Sequence, residues 1–210
     1  RSAHQAIAEV RKYINFGCEN VIEVDLENFF DSIPHDKLME LVEKRISDPK
    51  ILKLINAWLK VGVVSENGVT RSLIGTPQGG VISPLLANIF LNVLDCEWRR
   101  CRYDHKSRDA HLIRYADDMV ILCKWRPEYY FKRLQEILAS LGVEMNMEKT
   151  KVVNAKDGFD FLGIHFRTNV SRNTGRKNCY YWPSSKSVSN FKQMMRLMIN
   201  QRKTVNIPHI

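Results

Sequence analysis

The feature that most constrains how this chain can fold is His111 to Cys123, HLIRYADDMVILC. Two apolar runs, Leu112-Ile113 and Met119-Val120-Ile121-Leu122, flank Tyr115-Ala116-Asp117-Asp118. Alternating β-branched and aromatic residues on either side of a short Ala-Asp-Asp break predict a β-hairpin. Two adjacent carboxylates at the tip of a buried hairpin repel each other and lose hydration, so something must offset that. A divalent cation is the simplest compensation. The same residues also suit a plain turn, because Asp is a common turn residue.

The rest of the chain supplies partners for that hairpin. Ser2 to Phe16 predicts a helix, with Ala6, Ile7, Val10 and Ile14 on one stripe and Gly17 as its stop. Val21 to Leu26 predicts a strand containing Asp25. Pro34 breaks the chain, His35 to Ile46 reads as helix, and Asp48-Pro49 starts another through Trp58 and Leu59. Glu66-Asn67-Gly68 reads as a turn between strands Val61-Ser65 and Val69-Ile74. Gly75-Thr76-Pro77-Gln78-Gly79-Gly80 reads as a loop leading to Ser83-Pro84, a cap plus Pro, and then a long helix carrying Leu86, Ile89, Phe90, Val93, Leu94 and Trp98. Pro127 to Leu141 predicts an amphipathic helix stopped by Gly142. Strands are expected at Val143-Met145, Lys151-Val153, Phe159-Phe166 and Asn178-Trp182, and a last helix over Ser184 to Arg202. Strands in antiparallel hairpins mixed with helices predict an α+β fold, with helices packed on one face of a sheet.

Of the 210 residues 44% are hydrophobic and 26% charged, which suits one or two compact units with a real core. No apolar run approaches the roughly 18 to 20 residues of a membrane span, and no secretory signal opens the chain. Because the first residue is Arg, the chain is expected to be a piece of a longer protein. Cys18, Cys96, Cys101, Cys123 and Cys179 show no CxxC spacing and read as reduced core residues of a cytosolic protein. The charge is +9 overall and lopsided: from Phe161 to Ile210 there is no Asp or Glu, while nine Lys and Arg account for the whole excess. A surface of one sign suits a polyanion such as nucleic acid, or else it is a solvated face or an arm lying against another part of the full protein.

Asp25 sits at the end of an apolar strand, as Asp117 does. If the two lie side by side, Asp25, Asp117 and Asp118 converge, and three negative charges at one sheet edge require cations. Hard oxygen ligands without His or Cys nearby select magnesium or manganese. Two such ions about 3.5–4 Å apart serve an in-line phosphoryl displacement.

On these residues the chain resembles the palm of a reverse transcriptase, most closely the kind encoded by group II introns. YADD is similar to the family's metal-binding hairpin and VDLENFFDSIPHDKL to its first catalytic strand. GTPQGGVISPLLANIFLNVLD resembles the loop and helix beneath the templating base, GVEMNMEKTKVV the segment after the palm helix, and FDFLGIHF the strand pair that grips the primer. Diversity-generating and retron enzymes share the carboxylates but usually differ at the GTPQGG loop. The resemblance implies a palm with the remaining part of the fingers over residues 1–182 and the beginning of a thumb or maturase region over 183–210. It implies an RNA-directed DNA polymerase adding deoxynucleotides to a primer 3′-hydroxyl; the alternative is an RNA-binding maturase module that assists splicing.

Residue by residue, the resemblance makes Asp25 and Asp117 the ligands bridging two Mg2+ ions, with Mn2+ as a substitute, and has Asp118 complete the site. The backbone at Leu26 should hold the metal and the triphosphate of the incoming nucleotide. Phe29 and Phe30 fall in the nucleotide-binding stretch: Phe30 matches the aromatic gate under the sugar, whereas Phe29 reads better as core. Gln78 and Gly79 match the loop that contacts nucleotide and template. Lys149 could neutralise the departing pyrophosphate, with Lys151 an equal candidate and a solvated lysine a third reading. Phe161, Leu162 and Gly163 would place the primer's 3′ end, although an apolar strand also reads as core, and Tyr115 packs near the primer terminus. The partners implied are an RNA template, the intron RNA, a DNA primer and a deoxynucleotide, with no membrane, a bacterial cytoplasmic location and self-association of the piece.

Overall fold

The computed structural model describes residues 2–60, 63–65, 68–70, 75–76, 80–105, 109–172 and 175–202. In chain order the elements are α1 (Ala3–Asn15), β1 (Asn20–Val24), α2 (Phe29–Ser32), α3 (His35–Glu43), α4 (Pro49–Lys60), β2 (Val63–Ser65), β3 (Gly68–Thr70) and α5 (Ser83–Arg100). Then come β4 (Ala110–Tyr115), β5 (Asp118–Cys123), α6 (Pro127–Leu141), β6 (Lys151–Asn154), β7 (Phe159–Phe161), β8 (Ile164–Val170), β9 (Lys177–Pro183) and α7 (Ser185–Arg202). The fold is α+β. Its centre is an antiparallel sheet in the order β4-β5-β1-β6; β2-β3 is a separate hairpin and β7-β8-β9 a second sheet.

Strand β5 shows why the sheet is central. Its residues Met119 to Cys123 are all buried, so its two faces are both apolar. Met119, Ile121 and Cys123 join Ile22 and Val24 of β1 in a core closed by α3, α4, α5 and α6. Val120 and Leu122 join Val21 and Ile113 in a second core, against Ala6, Val10 and Ile14 of α1 and Phe159, Phe161 and Phe166 of the second sheet. Helices α3 to α6 thus pack on one face as expected, while a further helix, α1, covers the opposite face together with β7-β8-β9. Helix α1 is started by a reciprocal cap: Gln5 N–H donates to Ser2 Oγ, and Ser2 N–H donates to Gln5 Oε1 at 2.9 Å.

Several local expectations are corrected. Helix α3 ends at Glu43, short of Ile46. Ser83 is the first residue of α5 and not its cap; the cap position is Ile82, which has no side-chain oxygen to offer. Val143-Met145 makes no strand of its own, only a bridge from Met145 to Leu26. Phe159-Phe166 is two strands around a turn. The short helix α2 was not foreseen. Among the cysteines, Cys18, Cys123 and Cys179 are buried, but Cys96 is exposed and Cys101 half-buried, because α5 turns Cys96 outward. Burial pushes the thiol pKa of Cys123 up to about 12, which keeps it protonated and unreactive. Glu66 and Asn67 lie outside the described residues. Among the described residues no helix is long and apolar enough to cross a membrane.

Candidate functional site

The hairpin tip is a two-residue turn. Tyr115 and Asp118 are cross-strand partners, so Ala116 and Asp117 form the loop. Ala116 has φ +54°, a left-handed conformation that costs a residue with a Cβ roughly 1–2 kcal/mol. The neighbouring strand brings in the third carboxylate: Val24 pairs with Met119, so the next residue, Asp25, comes up beside Asp118. Three acidic residues therefore meet at one end of the sheet.

The electrostatics of Asp118 agree with this placement. Asp118 is exposed as a whole residue, yet its carboxyl pKa is raised above the ordinary value. Partial desolvation by the surrounding protein is the largest cause, followed by the negative charges of Asp117 and Asp25. A raised carboxyl pKa means that the folded chain holds its proton more tightly than the unfolded chain. Its contribution to stability is present at acid pH and is lost as pH rises through the raised value. Asp118→Asn is accordingly expected to stabilise the metal-free chain, with a gain in melting temperature that grows between about pH 4 and about pH 7. Thermal unfolding followed by circular dichroism at both pH values checks this; a gain that shrinks with rising pH would contradict it.

Backbone contacts hold Asp25 in place. Its N–H donates to Thr150 Oγ1 at 3.2 Å, and its carbonyl accepts from Asn146 N–H at 2.9 Å. Its carboxylate lies 3.6 Å from Lys149 Nζ, with both groups well exposed. The two candidate lysines are thereby distinguished: Lys149 reaches Asp25, whereas Lys151 pairs with Glu23, two residues earlier, at 3.8 Å. Leu26 is buried and bridges to Met145.

Among the described residues, no three or more His, Cys, Asp or Glu side chains are gathered into a ready-made metal cage. The donor set at the tip nonetheless fits a hard divalent cation in kind, being carboxylate oxygen throughout and short of positive charge.

The sequence reading missed the brace beneath the tip. Arg114 forms a two-pronged ion pair with Asp95 of α5, through Nε at 3.2 Å and a terminal nitrogen at 2.6 Å. The other terminal nitrogen donates to Asn88 Oδ1 and to the carbonyl of Ala116, both at 2.8 Å. The strained turn is thus tied to the long helix. The only signal was an arginine between an isoleucine and a tyrosine of an apolar strand. The Asp160–His165 pair was also missed; it spans β7 and β8 at 2.6 Å.

Phe29 is buried and packs on Phe30 and Phe90, with ring centroids 5.4 and 6.5 Å away. Phe30 is half-buried, and its carbonyl accepts from Thr76 N–H at 2.6 Å. That bond docks the start of the GTPQGG loop on α2. Gly75 has φ +95°, and a Cβ there would lie 2.9 Å from Asp31 Cα, so only glycine fits. His35 Nε2 contacts the Gly75 carbonyl from the other side. Gln78 and Gly79 lie outside the described residues. Phe161 is buried in the second core, while Leu162 and Gly163 form the turn between β7 and β8. The tip carboxylates and the Phe30–Thr76 junction flank one end of β1; Phe161-Leu162-Gly163 belongs to the second sheet, on the side of the central sheet covered by α1.

Comparison with known proteins bears on this arrangement. Residues 2–166 match the family described as reverse transcriptase (RNA-dependent DNA polymerase). The chain is 31% identical to an uncharacterized 91 kDa protein in the cob intron of Schizosaccharomyces pombe, over 81% of this chain and 27% of that protein. It is 33% identical to protein YkfC of Escherichia coli, over 78% of this chain and 52% of the relative. It is 39% identical to the group II intron-encoded protein LtrA of Lactococcus lactis subsp. cremoris, over 45% of this chain and 16% of that protein. The chain thus spans between about a sixth and about a half of the length of these relatives. In fold it is similar to apo telomerase from Candida tropicalis truncated from the C-terminal domain, with TM-score 0.63, 16% identity, and 80% of this chain and 39% of that one covered.

Proposed function

Because the chain belongs to the reverse transcriptase family and is related to group II intron-encoded proteins, we propose that it carries the catalytic centre of an RNA-directed DNA polymerase that extends a DNA primer on an RNA template. The observation that carries the reading is the strand register that brings Asp25 up beside Asp118 and the Asp117 turn at the open end of the sheet, where the two neighbouring charges help to raise the Asp118 pKa. A pure RNA-binding surface gains nothing from clustered negative charge beside a polyanion.

In this reading Asp25 and Asp117 hold two magnesium ions, or manganese in their place, with Asp118 and the Leu26 backbone completing the site. Bound there, the metal lowers the pKa of the primer 3′-hydroxyl and neutralises charge on the triphosphate. Arg114 keeps the tip carboxylates in place from below. Lys149, already beside Asp25, supplies positive charge to the departing pyrophosphate. Gln78 and Gly79 contact the nucleotide and template, and Phe161-Leu162-Gly163 seats the primer end near Tyr115. Phe30 presents its half-buried ring under the sugar, where it takes the space of a 2′-hydroxyl.

The test is primer extension with magnesium on an RNA template, where absence of any product would sink the reading. Phe30→Ala is expected to admit ribonucleotides, lowering discrimination against them by roughly 10- to 100-fold. Single-nucleotide incorporation with each sugar checks it; unchanged selectivity removes Phe30 from this role.

A second reading, an RNA-binding maturase module, draws on the absence of acidic residues from Phe161 to Ile210. Tight binding of intron RNA without extension would favour it. The exposed apolar residues of α7, among them Phe191, Met194 and Leu197, are where self-association of the chain would form, which sedimentation reads out.

A further inference from the structure

The turn between β7 and β8 has a costly backbone. Phe161 pairs with Ile164, leaving Leu162 and Gly163 as a two-residue loop, and both have positive φ, +50° and +76°. Such a loop is the tight connection that suits two twisted strands, but its first position favours Asn, Asp or Gly. A leucine there persists only where its surroundings over-determine it.

The surroundings that do so belong to the start of α7. The carbonyl of Gly163 accepts two hydrogen bonds, from Ser184 N–H at 2.9 Å and from Ser187 Oγ at 2.8 Å. Ser184 caps the helix through its own hydroxyl, which accepts from Ser187 N–H at 3.2 Å. The hydroxyl of Ser187 accepts from Ser184 Oγ at 3.1 Å and itself donates to a carbonyl 24 residues away in the chain. The fit is close: a Cβ on Gly163 would stand 2.7 Å from Ser187 Oγ. Beneath the turn, Phe161 anchors β7 in the second core, so the turn is held from both sides.

We propose that Ser187 is a positioning residue, its hydroxyl holding the Gly163 carbonyl so that the Leu162-Gly163 turn and helix α7 move as one piece and present the turn to the primer terminus at a fixed height. This rests on the polymerase reading above. A strand lying against α7 would then be felt at the primer end through the hydrogen bonds on the Gly163 carbonyl, of which that from Ser187 is the side-chain one. Leu162 and Gly163 are the contact; Ser187 acts through them.

Ser187→Ala removes the hydroxyl latch but keeps the bond from the residue-187 N–H to Ser184 Oγ that caps the helix, whereas Ser187→Thr keeps a hydroxyl in reach. In steady-state extension by the full chain, Ser187→Ala is expected to raise KM for primer–template roughly five- to tenfold, with KM for the deoxynucleotide and kcat unchanged. Ser187→Thr is expected to restore most of the loss. Independently of any activity, hydrogen exchange at the Ile164 amide is expected to speed up in Ser187→Ala and recover in Ser187→Thr. An unchanged Ile164 exchange rate in Ser187→Ala overturns the latch whether or not the chain polymerises. Faster exchange with an unchanged KM for primer–template overturns the positioning role. If the unsubstituted chain extends no primer, the polymerase reading falls, and the exchange measurement still decides whether the latch exists.

Discussion

Asp117→Asn is expected to abolish primer extension, by roughly 10³-fold or more, equivalent to about 4 kcal/mol of barrier, while the folded chain remains at least as stable as before. The two halves of this expectation share one cause. The carboxylate at the tip repels Asp118 and contributes to the upward shift of its pKa. Neutralising it relieves the fold of a like charge and, in the reading proposed above, deprives a divalent cation of a ligand. Asparagine keeps the size and the turn-forming tendency of aspartate, so the hairpin has no reason to reorganise. Extension kinetics together with a thermal melt in the absence of metal read both halves. A variant that still extends primers at a tenth of the original rate would remove Asp117 from the chemistry. One that melts well below the parent chain would show that the charge was serving the fold instead.

Arg114→Met should produce the opposite pattern, a large loss of stability together with a loss of activity. The Arg114 side chain is 11% exposed and that of Asp95 29%, so the pair is partly but not fully removed from water. Breaking a buried ion pair by deleting one partner costs roughly 3–5 kcal/mol, and the residual solvation of Asp95 brings the expected loss to about 2–3 kcal/mol. The Ala116 carbonyl loses its donor at the same time, and the strained turn loses its tie to α5. Pairing the change with Asp95→Leu removes the stranded charge, and urea unfolding should recover most of the stability. Activity should stay low in the double variant, because no donor then reaches Ala116. If the double variant regains no stability, the ion pair is not the source of that loss.

The parts of the fold that could be read from the sequence are those written in neighbouring residues. The five apolar residues after Asp118 mark a strand buried on both sides. The 3.6-residue period of α1 and α6 ends each time at a glycine with positive φ shortly after the helix, Gly17 and Gly142. The tip carboxylates announce themselves because adjacent charges between apolar runs are expensive. What remained unread depends on residues far apart in the chain. Arg114 and Asp95 are 19 positions apart, Ser187 and Gly163 are 24, and no periodicity says which distant side chain an arginine or a serine will find. Val143-Met145 misled for a related reason: its apolar alternation is real, but Asn146 and Thr150 turn the chain back onto Asp25 after a single bridge.

The burial of β5 on both sides has a consequence for how the tip is aligned. When only one face of a strand is apolar, slipping by one position exposes the wrong residues, and the core itself forbids the error. Here Met119, Ile121 and Cys123 could exchange layers with Val120 and Leu122 and still find oil on either side. Apolar patterning therefore does less to fix the register of the very strand that carries Asp118, and close packing must do more. Protection against slippage falls also to the few polar fixtures at its end, namely the two-residue loop and the guanidinium of Arg114 that reaches across to Ala116.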